Sequence, residues 1–201
     1  MPELVLVAGT FVLAAVATIT LVIVRRRLDR SYSDRVRRLE ERLEESHTVE
    51  RTHLERPPQI RTLAVVDRTQ DGDPVYVPIV RVDLGSTEAP SMELVFEFVA
   101  SVLEAIHPVF AEEDVRVRHY DIQFTFGPSG LFVSRLCQRV SVPPGVAKRV
   151  CRDDGYRAFD LRRDVERGDD GDENTAPVLW GDCRTYRTRD DESRAVEYSN
   201  N

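Results

Sequence analysis

Apolar and polar positions divide this chain into four stretches of different character. From Leu4 to Val24, LVLVAGTFVLAAVATITLVIV, 21 apolar or small residues run without a charge, and Arg25-Arg26-Arg27 ends them abruptly. At about 1.5 Å per residue such a helix covers roughly 31 Å, close to the hydrocarbon thickness of a bilayer, so the pattern predicts a transmembrane anchor. A cleavable signal peptide ending at Ala15-Val16-Ala17 fits less well, because no basic residue precedes the run and seven more apolar or small residues follow it. Thr10, Ala14 and Thr18 recur at i, i+4 and i+8, a small-residue stripe suited to a homodimer contact within the bilayer.

The second stretch, through Arg56, is highly charged and free of Gly and Pro. Leu28, Tyr32, Val36, Leu39 and Leu43 recur every three or four residues, and Asp34/Arg38 and Arg37/Glu41 pair at i, i+4. This predicts a spacer helix over 28–56, stopped by Pro57-Pro58. Its apolar seam fades after Leu43 and falls short of the heptads of a long coiled coil, leaving a short dimer stalk as the alternative to a single solvated helix. His47 and His53 are six residues apart and do not share a helical face as metal ligands would.

The third stretch, 57–166, alternates in shorter periods and predicts a domain of α+β class: an antiparallel sheet, ββαββα-like, with a helix packed on one face. Ile60–Arg68 and Pro74–Leu84 read as a hairpin, with Pro78 favouring an edge strand. Met92, Val95, Phe96, Val99, Val102, Leu103 and Ile106 form a broad apolar helical face after the N-cap candidate Ser91, and Pro108 predicts the helix end near Ile106. A third strand over Asp114–Phe126 changes phase between Val117 and Tyr120, which implies a bulge. Leu131–Val142 reads as a fourth strand, and Pro143-Pro144 opens a short helix toward Gly155. Tyr156–Val165 seals the core as strand or helix. The fourth stretch, 167–201, has too few large apolar residues to offset ordering and reads as a disordered acidic tail. Pro177-Val-Leu-Trp180 is the exception, a segment able to dock back on the domain.

Composition adds the compartment. The arginines after Val24, with no Lys or Arg before Leu4, orient the N-terminus outside and the rest toward the cytoplasm. Cys137, Cys151 and Cys183 are odd in number and at no metal spacing, and read as reduced thiols in keeping with that side. Twenty-eight Lys plus Arg against 35 Asp plus Glu give a net charge of -7, and Lys148 is the one lysine. This lysine-poor acidic balance resembles that of proteins from salt-loving archaea, and it disfavours a general nucleic-acid role.

Chemistry is sparse. No Walker A, G-x-G-x-x-G, G-x-S-x-G, HExxH or C-x-x-C motif occurs, and Asp67–Pro78 fails as a calcium loop, so no cofactor or metal is expected. His119, Asp121 and Gln123 share one strand face, an acid–base pair or half a metal site in its functional reading and a solvated sheet face otherwise. Arg135 and Arg139 on the next strand extend that face into a polar patch, and Lys148, Arg149 and Arg152 give the following helix a basic side. The pattern therefore predicts a single-pass membrane protein presenting a cytoplasmic interaction or scaffolding domain. Its expected partners are the lipid bilayer, a second copy through Thr10, Ala14 and Thr18 or the spacer helix, and a cytoplasmic protein. The alternatives are a tethered enzyme using His119 and Asp121, and a tethered nucleic-acid-binding regulator using Arg135, Arg139, Lys148, Arg149 and Arg152.

Overall fold

A computed structural model describes residues 31–46, 54, 56–128, 135–169, 171 and 175–186. The Leu4–Val24 segment with Thr10, Ala14 and Thr18, the histidines 47 and 53, and the chain beyond Tyr186 lie outside the described residues. The chain divides into two compact units, Met1–Arg38 and Leu39–Asn201. Among the described residues the fold is α+β, four helices and a mixed five-stranded sheet.

Helix α1 covers residues 31–45. It ends where the Ser46 hydroxyl donates to the Leu43 carbonyl at 2.9 Å and the Ser46 N–H to Arg42 at 3.0 Å. Leu54 then forms an antiparallel bridge with Leu84, so the expected helix over 28–56 is shorter than its lack of Gly and Pro suggested. In the second unit the seam residues Leu39 and Leu43 are buried by the chain itself.

Strands β1 (Gln59–Arg68) and β2 (Pro74–Asp83) form the expected hairpin, closed by Thr69 N–H to Asp73 O at 2.8 Å and by Gly72 at φ +88°, where only glycine is unstrained. β2 nevertheless lies inside the sheet, between β1 and β3 (Tyr120–Phe126), which corrects the edge placement of Pro78. The proline is tolerated because its missing N–H falls between two pairing regions. Tyr76 bonds Arg116 and Arg118 through its N–H and carbonyl, and the β2–β3 register begins at Ile79 opposite Asp121.

The β2–β3 pairing is parallel, correcting the antiparallel expectation. Helix α2 (Met92–Glu112) joins these strands as a crossover, which returns the chain in the same direction, as hairpin turns cannot. Ser91 caps it, its hydroxyl accepting from the Leu94 N–H at 3.3 Å. The helix runs through Pro108 because Val109 and Phe110, one turn beyond the expected end, are buried. Burying two such side chains contributes about 1.5–3 kcal/mol each, enough to offset the roughly 3 kcal/mol of an interior proline. By length and composition α2 is apolar enough to cross a membrane, yet its apolar residues form the domain core.

β3, β4 (Leu136–Val142) and β5 (Val178–Asp182) follow in antiparallel order, completing a sheet β1-β2-β3-β4-β5. Helices α3 (Pro144–Arg152) and α4 (Ala158–Gly168) pack with α2. β5 corrects the disordered tail over its own span: Val178 is buried, and the Trp180 ring stacks on Phe126 with centroids 6.2 Å apart. The ordered domain thus runs past the expected boundary at 166. With Gln138 opposite Asp182, the next pair outward is Cys137 and Cys183, which are bonded with Cα atoms 5.5 Å apart. That corrects the reduced-thiol expectation for these two and leaves Cys151 as the free thiol.

Candidate functional site

Strict alternation along β3 sets the site. Tyr120, Ile122, Phe124 and Phe126 form one buried side, on which Tyr120 packs edge-on against Phe110 and bonds His107 Nδ1 through its hydroxyl at 2.7 Å. Asp121, Gln123 and Thr125 point to the other side. The expected bulge is absent: β3 starts at Tyr120, and the preceding residues form a separate segment that turns at Asp114 (φ 51°) and touches β2 by a bridge between Val117 and Tyr76. The phase change in the sequence is therefore the junction of two segments.

Instead of facing water, the polar side of the sheet is covered. Asp121 and Gln123 are 0% exposed and Arg139 1%. Arg139 Nη1 lies 3.6 Å from Asp121 Oδ2, its Nη1 also donates to the Ser141 hydroxyl, and its Nε donates to the Asp182 carbonyl at 3.0 Å. The β3–β4 register explains the grouping, with Asp121 opposite Ser141 and Gln123 opposite Arg139. Toward the far end of the strands Thr125 donates to Asp83, Asp83 pairs with Arg56 at 3.1 Å, and Arg135 donates to the Leu84 carbonyl.

The cover comes from the segment after β5. Tyr186 donates its hydroxyl proton to Asp121 Oδ2 at 2.5 Å, and the Tyr186 hydroxyl oxygen lies 2.8 Å from His119 Nε2. With that proton spent on the carboxylate, His119 must carry its own proton on Nε2 and donate it to Tyr186. Gln123 donates to the Arg184 carbonyl at 3.1 Å and accepts from Arg61 at 3.2 Å. The result is a chain His119–Tyr186–Asp121–Arg139 that ties the C-terminal segment to the sheet. Burial, together with the charges of Arg139, Arg118 and Arg184, lowers the His119 pKa to about 4, so the ring is neutral at physiological pH. Burial raises the Asp121 pKa, with the Tyr186 hydroxyl, Arg139 and Gln123 acting in the opposite direction. Burial and Asp121 push the Tyr186 hydroxyl well above the usual phenol range.

A cleft of about 370 Å³ opens beside this chain, lined by Val66, Arg118, His119, Pro143, Thr175, Ala176, Arg184 and Tyr186. It reaches His119 but not Asp121. Among the described residues no acidic side chain lines it. A second cleft, about 340 Å³, holds Glu104, Cys151 and Tyr156 between α2, α3 and the start of α4. Burial and the nearby Glu104 raise the Cys151 pKa to about 11, which leaves it a poor nucleophile.

The residues singled out in the sequence thus part company. His119, Asp121 and Arg139 are brought together; Arg135 joins the same sheet side near Leu84. Lys148, Arg149 and Arg152 sit on α3, where Arg149 pairs with Asp164 at 2.8 Å. With Arg139 buried, the five cations form no continuous basic surface. Among the described residues no cluster of His, Cys, Asp or Glu is arranged to hold a metal. Sequence reasoning missed Tyr186, Arg184 and Arg118. The signal for the first two was Cys183, which, once paired with Cys137, brings the segment that follows it back to β4. No protein-family model, curated protein or solved structure matches the chain.

Proposed function

We propose that this chain is a membrane-tethered binding module, anchored by residues 4–24 and presenting its α+β domain to a partner on the cytoplasmic side. The observation that supports it is the state of the groups an enzyme would use. Asp121 is sealed from solvent, and His119 spends Nε2 on Tyr186 and has a pKa far below the operating range of an efficient general base. What remains open is a cleft with two guanidinium groups on its wall, in a chain of net charge -7. Such a surface recognises before it transforms. The enzyme reading keeps one supporting observation, that His119 lines the cleft.

A photo-crosslinking amino acid placed at Val66, on the cleft wall, in the full chain and in native membranes tests the binding reading. A discrete adduct is expected at that position and none at the exposed Glu97 of α2. No adduct at 66, or the same adducts at both, would reject it.

A further inference from the structure

We infer that the cleft between Arg118 and Arg184 is a binding site for a small organic carboxylate carrying an apolar group. This deepens the binding reading and rests on it, since it names what the cleft accepts. The first support is charge. Arg118 and Arg184 line the cleft, and both add to the effect of burial and Arg139 in lowering the His119 pKa. Arg118 is exposed and has no ion-pair partner among the described residues. A guanidinium presents paired N–H donors whose spacing matches the two oxygens of a carboxylate.

The second support is the rest of the lining. Val66, Pro143, Ala176 and the Tyr186 ring give the cleft apolar lining alongside its charges, with the Arg184 guanidinium 6.0 Å from the Tyr186 ring centroid. A bare inorganic anion would leave that apolar lining unused. The volume, about 370 Å³, lies at the small end of ligand pockets, which run from about 300 to 1,000 Å³. The third support is that the cleft's position is fixed. Arg184 is held through its carbonyl by Gln123, and Tyr186 through its hydroxyl by Asp121, so the C-terminal wall is pinned to the buried face of the sheet before any ligand arrives.

Binding also has a signature inside the protein. A carboxylate seated at Arg118 and Arg184 offsets two of the three guanidinium charges that, after burial, lower the His119 pKa, so occupancy moves that pKa upward from about 4.

The test uses the full chain in detergent micelles, with benzoate, its neutral isostere benzamide, inorganic phosphate, and a short peptide with a free C-terminal carboxylate as probes in equilibrium binding. Side-chain NMR of His119 provides a second readout. Saturable benzoate binding is expected, at least tenfold tighter than benzamide or phosphate. It should weaken about tenfold in Arg118→Gln and in Arg184→Gln, with an upward His119 pKa shift in the wild type. Peptide binding tighter than benzoate would replace the small-molecule source by a chain terminus and overturn the inference as stated. Equal binding of benzoate and benzamide, preference for phosphate, or unchanged affinity in both variants would overturn it as well. Arg118 is exposed, so Arg118→Gln keeps the result interpretable if Arg184→Gln loosens the fold. If the crosslinked adduct at 66 persists while benzoate fails, only the ligand class falls; if both are absent, the binding reading falls with it.

Discussion

Tyr186 holds the domain's polar side together with one hydroxyl. Removing it in Tyr186→Phe leaves Asp121 Oδ2 and His119 Nε2 without the partner they share, and an unsatisfied buried polar atom costs about 1–3 kcal/mol. Thermal melts should show that loss, together with faster amide exchange over residues 183–186; an unchanged melt would mean water replaces the hydroxyl at no cost. Asp121→Asn takes the carboxylate charge away from a buried guanidinium 3.6 Å off and should cost more, about 3 kcal/mol. Acid acts through His119. Its pKa is near 6.5 in the unfolded chain and about 4 in the fold, so the unfolded state binds the extra proton between those values. Stability from this group is full above pH 6.5 and declines as pH falls toward 4, by roughly 3 kcal/mol at most. Asp121, with its pKa raised above 3.8, works in the opposite direction at pH values above 3.8, where the folded state binds the extra proton. His119→Gln should flatten the slope of stability between pH 6.5 and 4 relative to wild type, and equal slopes would remove His119 as its source.

Among the elements, β5 carries the largest consequence. It is five residues long, closes the sheet beside β4, and leads directly into the segment that forms the cleft wall. The Cys137–Cys183 bond closes a span of 46 residues, a loop for which chain entropy gives about 4 kcal/mol of stabilisation. Reduction, or Cys183→Ser, should therefore lower the unfolding midpoint and release β5 first, read as selective exchange over 178–186; uniform loosening of all strands would show that β5 and the sheet fold as one unit. The sequence made α2 and the β1–β2 hairpin legible because each depends on local periodicity and one turn. The end of α2 was misplaced because the cost of Pro108 is local while the burial of Val109 and Phe110 that outweighs it is tertiary. β5 was illegible for a related reason: a single Trp and two aliphatic residues cannot support order alone, and their partners Phe124 and Phe126 lie more than 50 positions earlier. The pairing of His119 with Asp121 was readable from period two, but whether that face was wet or sealed depended on Tyr186, which no local pattern connects to it.

For the whole molecule, the proposed anchor requires a side of the membrane for the domain, and two features bear on it. Arg25-Arg26-Arg27 follows the proposed span, the basis of the proposal of an inward domain. The cysteines no longer add support to that side, because Cys137 and Cys183 are joined and disulfides form and persist chiefly in oxidising compartments. An inward domain must therefore keep its bond in a reducing medium, and both half-cystines are half-buried, which slows attack by a soluble thiol. Reporter fusions at Asn201 separate the cases. The arginine flank predicts a fluorescent cytoplasmic reporter and an inactive phosphatase, with replacement of the three arginines by asparagine degrading that topology. An active phosphatase and a dark fluorescent reporter would place the domain on the oxidising side, where the Cys137–Cys183 bond needs no protection and where the carboxylate reaching Arg118 and Arg184 would come from outside the cell.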